Sequence, residues 1–215
     1  MKHDRVIALG FFDGVHLGHA ALLRLTRRRA DELGIPAAVL TFDTHPDTLV
    51  YHQPVPLINT LEDRKYLMEE KFSMDEVILA HFDRAMMEMP WESFVEDYLL
   101  GELGAKHVVC GHDFSFGYRG QGTPDKLRRL CAQRGVGVNV VDKVSLGGIT
   151  VSSTHIRQLI RQGDMEAAAQ MLGHRHFLSG EVLHGKELGR RLGFPTANLA
   201  LPEGLIAPAY GVYAT

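Results

Sequence analysis

Two histidines three residues apart, His16 and His19, stand where a glycine-rich turn leads into a helix. The apolar run from Val6 to Phe12 predicts a short buried strand, and the following pattern predicts a helix that opens near His19. The N-terminus of such a helix presents unpaired N–H groups and a partial positive charge, which favour phosphate. Paired imidazoles at that opening suit a nucleotide whose phosphates react. The H-x-G-H spacing alone is equally compatible with an ordinary strand-to-helix turn bearing two surface histidines.

A second group of candidate phosphate ligands lies at the start of a later helix. Ser153 and Thr154 offer hydroxyl and N–H groups there, and Arg157 lies within one turn of them. Apolar residues at positions 156, 159 and 160 mark the buried side of this helix, and Gly163 ends it. Taken by itself, the group is better explained as an ordinary serine cap followed by a surface arginine.

A third group comprises aromatic residues between glycines. Phe114 and Phe116 alternate along the chain and could line a flat slot for an isoalloxazine or adenine ring, with Asp113 supplying a directional hydrogen bond. Each phenylalanine taken singly could equally be a strand-end side chain turned into the core.

The first of these groups resembles a known signature. The string G-F-F-D-G-V-H-L-G-H, which begins at Gly10, is similar to the motif of the H-x-G-H nucleotidyltransferases. In this form it resembles the bacterial bifunctional riboflavin kinase/FMN adenylyltransferases, or FAD synthetases. The elements G-x-D-F-x-F-G and S-S-T-x-I-R of that family follow in the same order. Many members have proline where Thr44 stands and an acid where His112 stands.

The resemblance implies roles for particular residues. His16 and His19 would contact the α- and β-phosphates and the transition state, with Arg157 as the third catalytic residue on the β- and γ-phosphates. The implied ATP-binding residues are Gly10, Phe11, Asp13, Gly14, His16, Gly18, His19, Ser153, Thr154 and Arg157. The implied flavin-binding residues are His45, Asp113, Phe114 and Phe116.

Near the C-terminus, G-R-x-L-G-F-P-T-A-N resembles the riboflavin kinase signature of the same family. In that signature the threonine and asparagine, here Thr196 and Asn198, help to bind Mg²⁺ and ATP phosphates. Hard oxygen ligands of this kind suit Mg²⁺. The sequence ends within a predicted strand, Gly211 to Ala214, whereas the family's kinase barrel continues. We therefore expect residues 176–215 to be an incomplete, poorly supported kinase domain with open strand edges and no riboflavin kinase activity.

Composition narrows the function classes. The chain has 215 residues, 45% of them hydrophobic, which suffices for one good core and a second small unit. The net charge of −3 offers no basic field for nucleic acid. Two distant cysteines, with no signal peptide and no apolar run of membrane-spanning length, favour a soluble protein of the reducing cytoplasm. The oligomeric state is not indicated.

The elements that must position these groups alternate between strand and helix. This alternation predicts an α/β fold over residues 1–175, a Rossmann-like doubly wound parallel sheet, followed by the start of an all-β kinase barrel. Ligands of such sheets bind beyond the carboxyl ends of the strands. The segments Gly10–His19, Asp43–Pro46 and Gly111–Tyr118 should therefore line one rim. Further strands are predicted at 37–42, 75–80, 106–110 and 136–141.

The combined motifs predict an FMN adenylyltransferase that uses ATP, FMN and Mg²⁺ to make FAD and pyrophosphate. One alternative is an H-x-G-H nucleotidyltransferase with another phosphate acceptor, such as phosphopantetheine or nicotinate mononucleotide. A second alternative is a non-catalytic flavin-nucleotide sensor that retains the pocket.

Overall fold

A five-stranded parallel sheet forms the centre of the computed structural model, which describes residues 4–185, 193–194 and 196–214. Its strands are β1 (Arg5–Leu9), β2 (Ala37–Phe42), β3 (Glu76–Ala80), β4 (Ala105–Gly111) and β5 (Gly137–Val141). They lie in the order β3-β2-β1-β4-β5, so the strand order reverses between β1 and β4. This is the doubly wound topology that the alternating pattern predicted, and the prediction is confirmed.

Helices cover both faces of the sheet. They are α1 (Leu17–Leu33), α2 (Pro46–Tyr51), α3 (Leu61–Tyr66), α4 (Arg84–Glu88), α5 (Trp91–Ser93), α6 (Pro124–Gln133), α7 (Ser153–Gln162) and α8 (Met165–Leu172). Two π-helical segments, Leu67–Lys71 and Phe94–Glu102, continue α3 and α5. Two short antiparallel pairs complete the described elements, namely β6 (Ser145–Leu146) with β7 (Ile149–Thr150) and β8 (Val182–Leu183) with β9 (Asn198–Leu199). Within the described residues, none of the helices has the length and hydropathy needed to span a bilayer.

The buried residues alternate along each central strand. Ile7 and Leu9 of β1 pack with Phe94 and Leu127 on one face of the sheet, in a cluster that includes α6. On the other face, Val6 and Ala8 pack against α1 and the segment that continues α3. A third cluster joins α7 and α8 to Ile58 and Ile206. Both faces of the sheet are therefore covered, which leaves its carboxyl edge available for ligands.

Two strand predictions differ from the structure. β1 ends at Leu9 rather than Phe12, because Phe12 adopts a left-handed conformation (φ 60°). The Phe12 side chain is fully buried beneath the turn that follows. Its apolar character therefore reflects burial in a turn and not strand pairing. The prediction of a strand at Gly211–Ala214 is wrong, since these residues pair with no strand among the described residues and Val212 is fully exposed. The hairpin of β6 and β7 was not predicted.

The described C-terminal residues contact the rest of the fold at the buried side chain of Ile206. The backbone of Ile206 donates to the carbonyl of Leu57 at 2.8 Å, and Leu57 in turn donates to Gly204 at 2.8 Å. The Ile206 side chain is 2% exposed and packs in the cluster formed by α7 and α8. This segment therefore supports the loop that carries Ile58, and the proposed domain boundary near residue 175 stays a prediction.

Replacing Ile206 with alanine should lower the free energy of unfolding by about 2–5 kcal/mol, because a buried methyl-bearing side chain is lost and a cavity is left. Val212→Ala, at a fully exposed position, is the control and should change it by less than about 0.5 kcal/mol. Urea denaturation followed by circular dichroism measures both values. Equal effects of the two substitutions would show that the C-terminal segment contributes nothing to the stability of the sheet domain.

Candidate functional site

The turn after β1 is the centre of the candidate site. It contains a 3₁₀ segment, Asp13–Val15, that ends at His16, the N-cap of α1. Gly14 has a φ of 79°, and a Cβ there would lie 2.9 Å from Cδ1 of Ile58. Only glycine meets both conditions without strain. The glycine predicted here is thus required for the turn to pack against the Ile58 loop.

His16 and His19 stack on each other at this turn, with ring centroids 3.6 Å apart and an interplanar angle of 13°. The Nδ1 atom of His16 accepts a hydrogen bond from the backbone N–H of His19 at 3.3 Å. In the neutral ring the proton is then on Nε2, which is a donor. A Cβ at Gly18 would lie 3.0 Å from Cε1 of His16, so glycine lets the ring lie flat against the helix start.

Both imidazoles are held neutral by their surroundings. Burial lowers the pKa of His16 from 6.5 to about 4, and the Arg157 guanidinium acts in the same direction. The pKa of His19 is lowered well below 6.5, first by burial and then by the neighbouring His16 and Arg64. Near neutral pH the pair therefore offers N–H donors to phosphate without a fixed charge.

The depressed pKa of His16 predicts how stability depends on pH. As the pH falls through 6.5 the unfolded chain takes up a proton that the folded chain resists down to about 4. The free energy of unfolding should therefore fall over this window, with a contribution from His16 of at most about 3 kcal/mol. His16→Asn keeps an N-cap residue and should flatten this part of the slope in urea titrations. Identical slopes for the variant and the parent protein would contradict the assignment.

Asp13 connects the turn to α7. Its carboxylate is 2% exposed and lies 2.7 Å from Nη2 of Arg157. It also accepts from the backbone N–H groups of Ile58 (2.8 Å) and Asn59 (3.4 Å), and its carbonyl accepts from the hydroxyl of Ser153 at 2.9 Å. The carboxylate is thus used to hold three segments together. A direct contact between Asp13 and ATP stays a prediction.

The start of α7 therefore lies beside the histidine pair. Ser152 caps α7 by accepting from the N–H of His155. In the first turn of the helix, the hydroxyl of Ser153 donates to the carbonyl of Asp13 and so joins α7 to the Asp13–Val15 turn. Thr154 and Arg157 also line a cavity of about 290 Å³ next to α2. Arg157 pairs with Asp13 of the turn and acts electrostatically on His16, so its guanidinium lies on the same side of the molecule as the imidazoles.

The residues predicted to bind flavin occupy different environments. The ring of His45 contacts Phe11 edge-on, with centroids 4.5 Å apart, beside the histidine turn. Asp113 has a side chain 82% exposed at the carboxyl end of β4. Phe114 stacks on Phe116 at 5.5 Å, but Phe116 is 7% exposed and packs in the core. Phe114 is only partly buried and is therefore the more accessible of the two phenylalanines. Flavin contact stays a prediction for all four residues.

The predicted Mg²⁺ ligands of the kinase unit belong to a signature that the structure describes only in part. Thr196 and Asn198 are exposed, and the side chain of Asn198 lies against Gly185. Five of the ten residues of the kinase signature, 189–192 and Pro195, lie outside the described residues. Within the described part of the chain there is no group of three or more His, Cys, Asp or Glu side chains suited to a metal.

Sequence reasoning missed Arg64, which lies beneath the turn. It is fully buried, and its guanidinium lies 4.2 Å from the centroid of the Phe11 ring. Arg64 shares a helix face with Leu67 and Met68, so a cation within an apolar stripe is the signal that could have identified it.

A second cavity lies away from the histidine turn. Its volume is about 450 Å³, and its lining includes Ala105, Lys106 and Val136 at the amino ends of β4 and β5. Glu96 and Asp97 add carboxylates to its lining, and Lys106 and Arg134 add cations. Arg134 pairs with Glu96, so the lining carries no excess of positive charge that would favour phosphate. Ligands of doubly wound sheets bind at the opposite edge, so we assign the site to the histidine turn.

Comparison with known proteins agrees with this geometry. The family model described as FAD synthetase matches residues 1–155, and the model described as riboflavin kinase matches residues 172–215. Curated relatives are the bifunctional riboflavin kinase/FMN adenylyltransferases of Listeria monocytogenes (39% identical, covering 98% of this chain and 67% of the relative) and Bacillus subtilis (37%, 97% and 66%). This chain thus spans about two thirds of the length of these relatives.

A solved structure shares the fold. It is a crystal structure of a Streptococcus pneumoniae protein described as a macrolide-efflux protein, with a TM-score of 0.85 and 31% identity over 99% of this chain and 69% of that one. The family match covers the sheet, the histidine turn and the start of α7. The chain belongs to the FAD synthetase family.

Proposed function

We propose that this protein transfers the adenylyl group of ATP to the phosphate of FMN, forming FAD and releasing pyrophosphate. The observation that carries the proposal is the convergence of two helix N-termini on one turn. α1 begins at the stacked histidines, and α7 is tied to the same turn through Ser153 and Arg157. Both termini direct N–H groups and partial positive charge toward a shared space, as a triphosphate requires.

The chemistry needs positioning more than covalent participation. A phosphate oxygen of FMN attacks the α-phosphorus of ATP as the bond from that phosphorus to the bridging oxygen of the leaving pyrophosphate breaks. The role of the protein is to align the two phosphates and to stabilise the negative charge that develops on the leaving group. His16 and His19 donate from one side, and the N-terminus of α7, with Arg157, acts from the other. No side chain has to form an intermediate.

Mg²⁺ fits this proposal as a partner of the substrate. The ion prefers oxygen ligands, retains several waters and is usually held by phosphates with one or two carboxylates. The exposed carboxylate of Asp113 lies close enough to the turn to influence His16 electrostatically and could serve in this way. When bound, Mg²⁺ would neutralise charge on the triphosphate. We further propose that Thr196 and Asn198 serve the ion of the kinase unit.

The two alternatives differ from this proposal in their substrates or in turnover. Another nucleotidyltransferase would transfer AMP to a different acceptor, and a sensor would bind flavin nucleotide without reaction. The riboflavin kinase match at residues 172–215 favours flavin as the substrate. The histidine pair and Arg157 in one site favour turnover.

The deciding experiment mixes the protein with FMN, ATP and Mg²⁺ and separates the flavins by chromatography. We expect FAD and pyrophosphate in equal amounts, with no FAD when Mg²⁺ is chelated. FMN that binds without forming FAD would support the sensor, and AMP transfer to phosphopantetheine or nicotinate mononucleotide alone would support the other transferase. Riboflavin in place of FMN tests the expectation that residues 176–215 lack kinase activity, which FMN formation would disprove.

A further inference from the structure

Arg64 is a buried cation that pairs with no carboxylate in the part of the chain that the structure describes. Its side chain is completely inaccessible to solvent, whereas its neighbour Lys65 is exposed. Within the described residues its hydrogen bonds go to two backbone carbonyls and one hydroxyl, and its Nε atom is buried with no partner. Buried charges are usually paired, so this arrangement calls for a functional reason.

The contacts of Arg64 lie at the ligand edge of the sheet. Nη1 donates to the carbonyl of Phe11 at 2.6 Å, and Nη2 donates to the carbonyl of Phe42 at 3.3 Å. The hydroxyl of Thr41 donates to the same Phe11 carbonyl at 2.9 Å. Arg64 thus links Phe11, which lies just beyond β1 and just before the histidine turn, to Phe42 at the end of β2.

The charge of Arg64 is not cancelled inside the site. Asp13 is a buried carboxylate that acts on it electrostatically, but Asp13 is already paired with Arg157 at 2.7 Å. Glu62, on the same helix as Arg64, contributes more weakly. The two guanidinium groups of Arg64 and Arg157 therefore share the buried carboxylate of Asp13, so Arg64 has no counter-charge of its own among its described contacts.

We infer that Arg64 is a positioning residue of the nucleotide site, which fixes the Phe11 carbonyl and supplies a buried positive charge that a polyphosphate neutralises. This inference rests on the proposed function for the identity of the ligand, a nucleoside triphosphate or pyrophosphate. Because Arg64 is inaccessible, it acts through the turn and through its field and does not touch substrate. The field argument predicts that a positive charge at this position matters beyond the hydrogen bonds it makes.

The test compares Arg64→Gln, which removes the charge, with Arg64→Lys, which keeps it but loses the two-carbonyl fork. The probe is pyrophosphate, whose affinity is measured by calorimetry without turnover. We expect Arg64→Gln to weaken binding by about tenfold or more and Arg64→Lys to stay within about threefold of the parent protein. Arg28→Gln, which removes an exposed cation from α1, is the matched control and should leave the affinity unchanged.

Parental affinity in Arg64→Gln, or equal losses in both variants, would overturn the inference. Should Arg64→Gln not fold, as judged by circular dichroism, Arg64→Lys decides alone, since a tenfold loss there would show that charge is not sufficient. In steady-state assays the lysine variant should rescue KM for ATP more fully than kcat, because the field is retained and the fork is not. FAD formation by the parent protein is measured in parallel, so that a missing activity disproves the proposed function while the pyrophosphate result judges Arg64.

Discussion

Replacing His19 with alanine should lower kcat for FAD formation by about 10²- to 10³-fold, the usual effect of removing one preorganised donor to transition-state charge. The ring of His19 stacks on His16 at 3.6 Å and belongs to the first turn of α1, where the developing charge of the leaving pyrophosphate would lie. Binding of ATP should change much less, because other donors of both helix termini remain. Rapid-quench measurement of FAD and calorimetric titration of ATP give the two quantities separately.

His184→Ala is a suitable control for this prediction. His184 is an exposed residue of the C-terminal unit, and we expect its loss to leave FAD formation unchanged. A His19→Ala protein that is folded and retains more than about a tenth of kcat would contradict the role assigned to the histidine pair.

Replacing Asp13 with asparagine should lower the free energy of unfolding by about 3–5 kcal/mol, because it leaves the Arg157 guanidinium buried without its counter-charge. Asp13 and Arg157 have side chains only 2% and 11% exposed. The carboxylate also accepts from two backbone N–H groups of the Ile58–Asn59 segment, so the substitution should also weaken the contact between the turn and this loop. Urea denaturation measures the stability, and activity should be lost along with the geometry of the turn.

Asp125→Asn provides the matched comparison, because Asp125 also pairs with an arginine but both partners are more than half exposed. Its cost should stay below about 1 kcal/mol. A double variant, Asp13→Asn with Arg157→Met, should recover part of the stability lost in the single variant, since the uncompensated charge is removed. If Asp13→Asn costs no more than Asp125→Asn, then the pair does not hold the site together.

Much of the sheet could be predicted because local signals and burial agree there. The apolar run of Ala37–Phe42 is buried on every residue and forms a strand with the predicted bounds. Thr60 and Thr123 cap the helices that follow them, and threonine is a residue type that favours the N-cap position. Phe12 shows the limit of this reasoning, since an apolar residue next to a strand can be buried by a turn just as well as by pairing.

The candidate site was predictable in its residue types but not in its internal contacts. The motifs predict that the histidines and Arg157 are phosphate ligands, which stays a prediction, yet no motif indicates the ion pair between Asp13 and Arg157 across 144 positions of the chain. Arg64 was missed because it stands in a charged stretch, Glu62–Lys65, where only the phase of the helix separates a buried cation from exposed ones. Long-range pairing and helix phase are properties of packing, and short motifs do not encode them.

A crystal structure of the protein with Mg²⁺ and a non-hydrolysable ATP analogue tests the central claim most directly, namely that two separate segments of the chain bind one triphosphate. The account predicts phosphate oxygens within hydrogen-bond distance of His16 or His19 on one side and of the first N–H groups of α7 on the other. Phosphates bound at the opposite edge of the sheet, beside Lys106 and Arg134, or held by only one of the two segments, would contradict it.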